Sequence, residues 1–134
     1  MRVVSINKYQ VIYYDRKSQL MKCEWLEDTN AMSLQKFRKE AERILNFSIK
    51  LKPVVIVVDL SNFKYDLDVT DANWFNAIHK MDIVKKVAII ITYTNQQLFN
   101  QISTFIKSNS ILIKKTQVYQ SEFEALEWLD VSLV

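Results

Sequence analysis

The chain has 134 residues, 49% hydrophobic and 25% charged, which suits one folded domain spanning 1–134 and argues against disorder. Its net charge is +3, and its 18 basic and 15 acidic residues are interleaved, so nucleic acid is not an expected partner. Glycine is absent where average usage would supply about nine residues; glycine-rich phosphate loops, which need positive φ and close backbone approach, are thereby excluded.

Met1–Ser5 has no long apolar region before a small-residue cleavage site, so no signal peptide is expected. Val3–Ile6 either extends the first strand or forms a tail. Tyr9–Tyr14 and Gln19–Trp25 are rich in β-formers and flank the turn-like Asp15-Arg16-Lys17-Ser18. Met21, Cys23 and Trp25 alternate with Lys22 and Glu24, and this period of two predicts an antiparallel hairpin. From Ser33 to Lys50 the pattern turns helical, with Leu34, Phe37, Ala41, Ile44 and Leu45 on one face and Lys36, Lys39 and Arg43 opposite. Lys36 and Glu40 stand at pairing distance on such a helix. Pro53 introduces Val54–Val58, a continuous apolar run expected of a strand covered on both faces.

After Asp59-Leu60-Ser61-Asn62 a polar loop leads to a predicted helix from Thr70 to Met81, with Trp74, Ile78 and Met81 at helical spacing. Val87–Ile91 reads as a second buried strand. Thr94-Asn95-Gln96-Gln97 fits a capping box, opening a helix with Leu98, Ile102, Phe105 and Ile106 on one face. Gln117–Tyr119 is a short strand, and Ser121-Glu122-Phe123-Glu124 a second capping box before a helix that buries Ala125, Leu126 and Leu129. The expected fold is therefore α/β: a mixed sheet with an N-terminal antiparallel hairpin followed by parallel βαβ units, helices packed on the sheet. No run reaches the roughly 18 apolar residues of a membrane helix, so membrane insertion is not expected. With a single cysteine, Cys23, no internal disulfide forms, and the expected compartment is the reducing cytoplasm.

Three stretches resemble the STAS domain, specifically the bacterial STAS-like family related to anti-sigma-factor antagonists. Val54-Val55-Ile56-Val57-Val58-Asp59-Leu60-Ser61 is similar to that family's central strand ending in Asp-Leu-Ser. Asp71-Ala72-Asn73-Trp74 is similar to a helix in which related bacterial proteins carry a tryptophan, and Phe123–Leu129 to their Ala-x-x-Trp-Leu ending. The resemblance implies a non-catalytic regulatory domain that binds another protein around the start of the helix after the central strand. Ser61, Asp66, Asp68 and Thr70 are the residues it points to. Antagonists of this family carry a phosphorylated serine in an Asp-Ser-Ser-Gly segment; Asp66–Asp71 has neither the serine pair nor the glycine, so serine switching is not expected. For Asp68 and Thr70 the simplest role is capping the helix.

Two other readings arise from the residues. Trp25 and Trp74, otherwise core residues, could line a pocket for a small hydrophobic or lipid ligand. Asp59, Asp66, Asp68 and Asp71 form the densest acidic run, and carboxylates at strand ends can bind magnesium. Asp59 and Thr92 then imitate a phospho-receiver, but Lys114 and Lys115 precede the last strand and fit that pattern poorly. His79 is the sole histidine and Cys23 the sole cysteine, so no ordinary zinc set exists and no metal or other cofactor is expected. His79 reads as a helix-surface residue and Cys23 as a buried structural thiol. Self-association is open on these grounds.

Overall fold

Apolar residues at successive positions of Val54–Val58 require cover on both sides of a sheet, and the computed structural model supplies it. The structure describes residues 1–66, 78, 80–92, 94–109 and 112–130. Strands β1 (Arg2–Ile6), β2 (Gln10–Asp15), β3 (Leu20–Trp25), β4 (Val55–Asp59), β5 (Lys86–Ile90) and β6 (Thr116–Tyr119) form one six-stranded sheet in the order β1-β2-β3-β4-β5-β6. β1, β2 and β3 are antiparallel; β3 through β6 are parallel. The predicted hairpin is present, with Gln10 opposite Trp25 and Asp15 opposite Leu20. The Val3–Ile6 segment is a strand of its own against β2, with a register irregularity between Val3 and Ser5.

Helix α1 (Leu34–Leu51) crosses from β3 to β4, as parallel strands require a crossover connection. Ser33 caps it, its hydroxyl accepting from the Lys36 amide. Helix α2 (Gln96–Lys107) and the short α3 (Leu112–Lys115) lie between β5 and β6, and α4 (Glu122–Leu129) follows β6. Side-chain alternation divides the apolar residues between the two faces. Ile56, Val58, Val87 and Ile89 join Phe37 and Ile44 of α1 and Leu98, Ile102 and Ile106 of α2 in the main core. Val55, Val57, Ala88 and Ile90 join Ala125 and Leu129 of α4 in a smaller one. Because α4 contacts β4, β5 and β6, the same face of β2 and β3 carries polar groups: Lys22 and Glu24 stand there beside Tyr13.

Local expectations needed correction at three points. The cap of α2 is Asn95, whose side-chain oxygen accepts from Leu98 N–H at 3.2 Å; the Thr94 hydroxyl meets that of Thr92 instead. Asn caps at least as well as Thr does, and Asn95 stands immediately before the first helical residue, Gln96, where its side chain reaches the free amide three residues on. Lys36 reaches the Tyr9 hydroxyl at 3.1 Å, while Glu40 turns inward to Asn7, Gln10 and Arg43, because the sheet offers it buried donors. Leu34, expected on the apolar face, is exposed at the helix start. The helix predicted over Thr70–Met81 lies largely outside the described residues; Ile78 is helical and buried, and Met81 follows the helix.

With no glycine available, left-handed backbone falls, among the described residues, on Gln19, Lys52 and Asp130. Lys52 and Asp130 are the C-caps of α1 and α4, positions that favour glycine because it has no Cβ.

Candidate functional site at the carboxyl end of β4

Parallel strands of an α/β sheet present their carboxyl ends to ligands. β4 ends at Asp59, level with Glu24 on β3. The Asp59 carboxylate folds back on the chain: Oδ1 accepts from Ser61 N–H at 2.9 Å and from Ser61 Oγ at 2.6 Å. This Asx turn redirects the backbone away from the sheet. Further bonds pin the loop beyond it. Leu60 N–H donates to the Ile90 carbonyl at 2.8 Å, and Lys64 N–H to the buried Thr29 hydroxyl at 2.9 Å. Thr29 in turn donates to the Leu26 carbonyl at 2.7 Å.

Beside Asp59, on the α4 face of the sheet, Lys22 is only 9% exposed. Its ammonium pairs with Glu122 of α4 at 3.2 Å and Glu24 at 3.6 Å, and lies over the Tyr13 ring. Burial opposes its charge, but Glu122, Asp59 and Glu24 together outweigh burial and hold its pKa above the ordinary lysine value. One cation thus neutralises carboxylates from β3, β4 and α4 and ties α4 to the sheet. Among the described residues no three His, Cys, Asp or Glu side chains converge as a metal site. Cys23 is fully buried, and desolvation pushes its thiol up to about 12, the state of an inert structural cysteine.

On the other face, the loop residues Phe63, Tyr65 and Asp66 meet Asn95, Gln97 and Gln101 at the start of α2 around a cavity of about 200 Å³. Its floor is aromatic. Tyr65 stacks on Phe37 at 4.8 Å between centroids, and Trp25 meets Phe37 at 5.8 Å and Phe63 edge-on at 5.2 Å. Asp66 therefore reaches a cavity, whereas Ser61 is spent on the Asp59 turn. Trp25 is 1% exposed and sits behind the cavity in the core, not in its lining. Asp68, Thr70 and Trp74 lie outside the described residues, as do Asp71 and His79. Thr92, paired with Thr94, follows β5, and Lys115 reaches the Met81 carbonyl at 3.4 Å.

Sequence reasoning missed Lys22 as the hub of a charge cluster, because its partner Glu122 is a hundred positions away. It also missed the amide-rich wall of Asn95, Gln97 and Gln101. The one available signal, a run of amides at a helix start, was accounted for by capping alone.

Fold and site define an α/β protein with a six-stranded mixed sheet and helices on both faces. Set against protein families, curated proteins and solved structures, the chain matches none. Among the described residues no helix is long and apolar enough to cross a membrane.

Proposed function

We propose that this chain is a non-catalytic, STAS-like regulatory domain that binds another protein through the loop after β4 and the adjoining start of α2. The observation that carries this reading is the loop itself. Side-chain bonds from Asp59 and Thr29 hold the loop at Ser61 and Lys64, and Tyr65 stacks on Phe37, so that Asp66, the next residue, lines a cavity walled by amides. Surface loops positioned by a rigid scaffold are where recognition concentrates. An acidic group next to carboxamide donors and acceptors suits a basic or amide side chain of the partner, and charge at such a rim governs partner choice and association rate. Ser61, Asp68 and Thr70 join Asp66 in this surface on the strength of the family resemblance.

The test is site-specific photocrosslinking of the full chain in the cells that produce it, with the crosslinker at position 66 or 61. One adduct of defined mass is expected from both positions, and it should disappear when Asp66→Lys is combined with the crosslinker at 61. The same adducts from a crosslinker at the exposed Lys39 on α1, or persistence in the Asp66→Lys chain, would rule the surface out.

A further inference from the structure

The two edges of the sheet are built differently. An open edge offers unpaired amide and carbonyl groups to any extended chain, and proteins guard against this with charges, bulges or cover. β1 carries Arg2 and a register irregularity, and Ser5 and Asn7 are bound to α1 through Arg43 and Glu40. β6 is guarded only by being short: among the described residues it carries neither charge nor bulge, Thr116-Gln117-Val118-Tyr119 being uncharged and paired with β5 in unbroken register.

The direction of the free groups follows from one bond. Ile91 N–H donates to the Tyr119 carbonyl at 2.9 Å, so the peptide groups of Tyr119 face β5. Strand alternation then turns the N–H and C=O of Val118 outward. Beside that edge α2 leaves a groove of about 490 Å³, lined by Phe99, Ser103 and Lys107 of α2 and by Gln117 and Val118 of β6.

Charge is distributed unevenly along the edge. The exposed Lys114 precedes β6, and the exposed Glu124 follows it, in the first turn of α4. The phenol of Tyr119, the last residue of the strand, is held above its ordinary pKa first by burial and then by Glu124.

The geometry points to a second copy of this chain as the occupant of the edge: two β6 strands pair antiparallel about a twofold axis at Val118, joining both sheets into one. In that register each Val118 N–H donates to the Val118 carbonyl of the partner subunit. Each Lys114, in the short helix that leads into β6, then lies toward the end of the partner strand, after which the partner's α4 opens with Glu124 of the partner subunit in its first turn. A parallel arrangement would set lysine against lysine and leave an edge open; the twofold pairs opposite charges and closes the contact.

Sedimentation velocity on the full chain, from about 1 μM to about 1 mM, tests this across the weak end of specific association. A reversible monomer–dimer equilibrium is expected. Val118→Pro removes an N–H that faces away from β5, so it should abolish the dimer while circular dichroism and thermal melting still report a folded monomer. Lys114→Glu and Glu124→Lys should each weaken the dimer about fivefold to tenfold, counting two symmetric pairs. The double variant Lys114→Glu/Glu124→Lys should restore it, a result that fold damage cannot mimic. A wild-type chain that stays monomeric throughout the range overturns the proposal, and so does a dimer indifferent to the charge exchange.

Discussion

Lys22 shows how much one side chain can organise. Its ammonium faces Glu122, Asp59 and Glu24, so removing it leaves carboxylates crowded without a counter-ion. Lys22→Met should cost about 1–2 kcal/mol at neutral pH, between the values for exposed and for buried pairs because Glu122 is partly exposed. The pH dependence has a definite sign. A lysine whose folded pKa is raised stabilises fully below the unfolded value of about 10.4, and that contribution is lost as pH rises through the folded value. The wild-type advantage over Lys22→Met, from urea melts at successive pH values, should therefore shrink above about pH 10.4. Cys23 supplies a second residue-scale prediction. With its thiol pushed up to about 12, the native protein should react with an aromatic disulfide reagent about a thousandfold more slowly than the urea-unfolded chain. Equal rates would contradict its burial.

At the scale of elements, the helix ends carry the most specific consequences. Asn95, not Thr94, satisfies a free amide of α2. Asn95→Ala should lower stability by about 1 kcal/mol, and Thr94→Ala by much less, in paired denaturant melts. The glycine-free sequence has a cost of its own. Lys52 closes α1 at φ 51°, where an L-residue pays about 1–2 kcal/mol for the contact of its Cβ with the following carbonyl. Lys52→Gly removes that penalty and gives back part of it as unfolded-chain entropy, so a net gain of about 0.5–1 kcal/mol is expected. A loss on substitution would mean that the lysine side chain makes a contact worth more than the strain. The absent glycines thus speak to local strain as well as to phosphate binding.

At the scale of the molecule, polar contacts tie β1 and the turn after it to α1, while Val4 packs on the main core. Val3 and Ile6 are exposed, whereas Asn7 Nδ2 donates to both Glu40 oxygens at 2.8 and 2.9 Å, and Arg43 bridges Glu40 and Ser5. Gln10, fully buried, donates to Glu40 from β2 at 3.3 Å. Buried networks of this kind are costly when half satisfied. Glu40→Leu should cost about 2–3 kcal/mol and, measured by native-state hydrogen exchange, release the amides of β1 before those of β4. Uniform exchange across both strands would show that β1 is held by its ladder alone.

The sequence by itself determined most of the elements and the class of fold. The two-residue period of strands and the helical period of about 3.6 are local properties, so the hairpin, the doubly covered strand expected over Val54–Val58 and found at Val55–Asp59, the amphipathic helices and the serine cap of α4 could all be read from neighbours in the chain. The aspartate at the end of the apolar run was legible for the same reason, but its turn onto Ser61, which the resemblance offered as a partner-binding residue, was not. Only the tertiary structure decided which partners those residues meet. It made β1 a strand, drew Glu40 from Lys36 to Asn7, gave Lys22 its partner on α4, set Asp66 against the amides of α2 and put β6 at an edge of the sheet. Each of these depends on which distant segments the sheet brings side by side, and pattern along a chain carries no information about a neighbour across it.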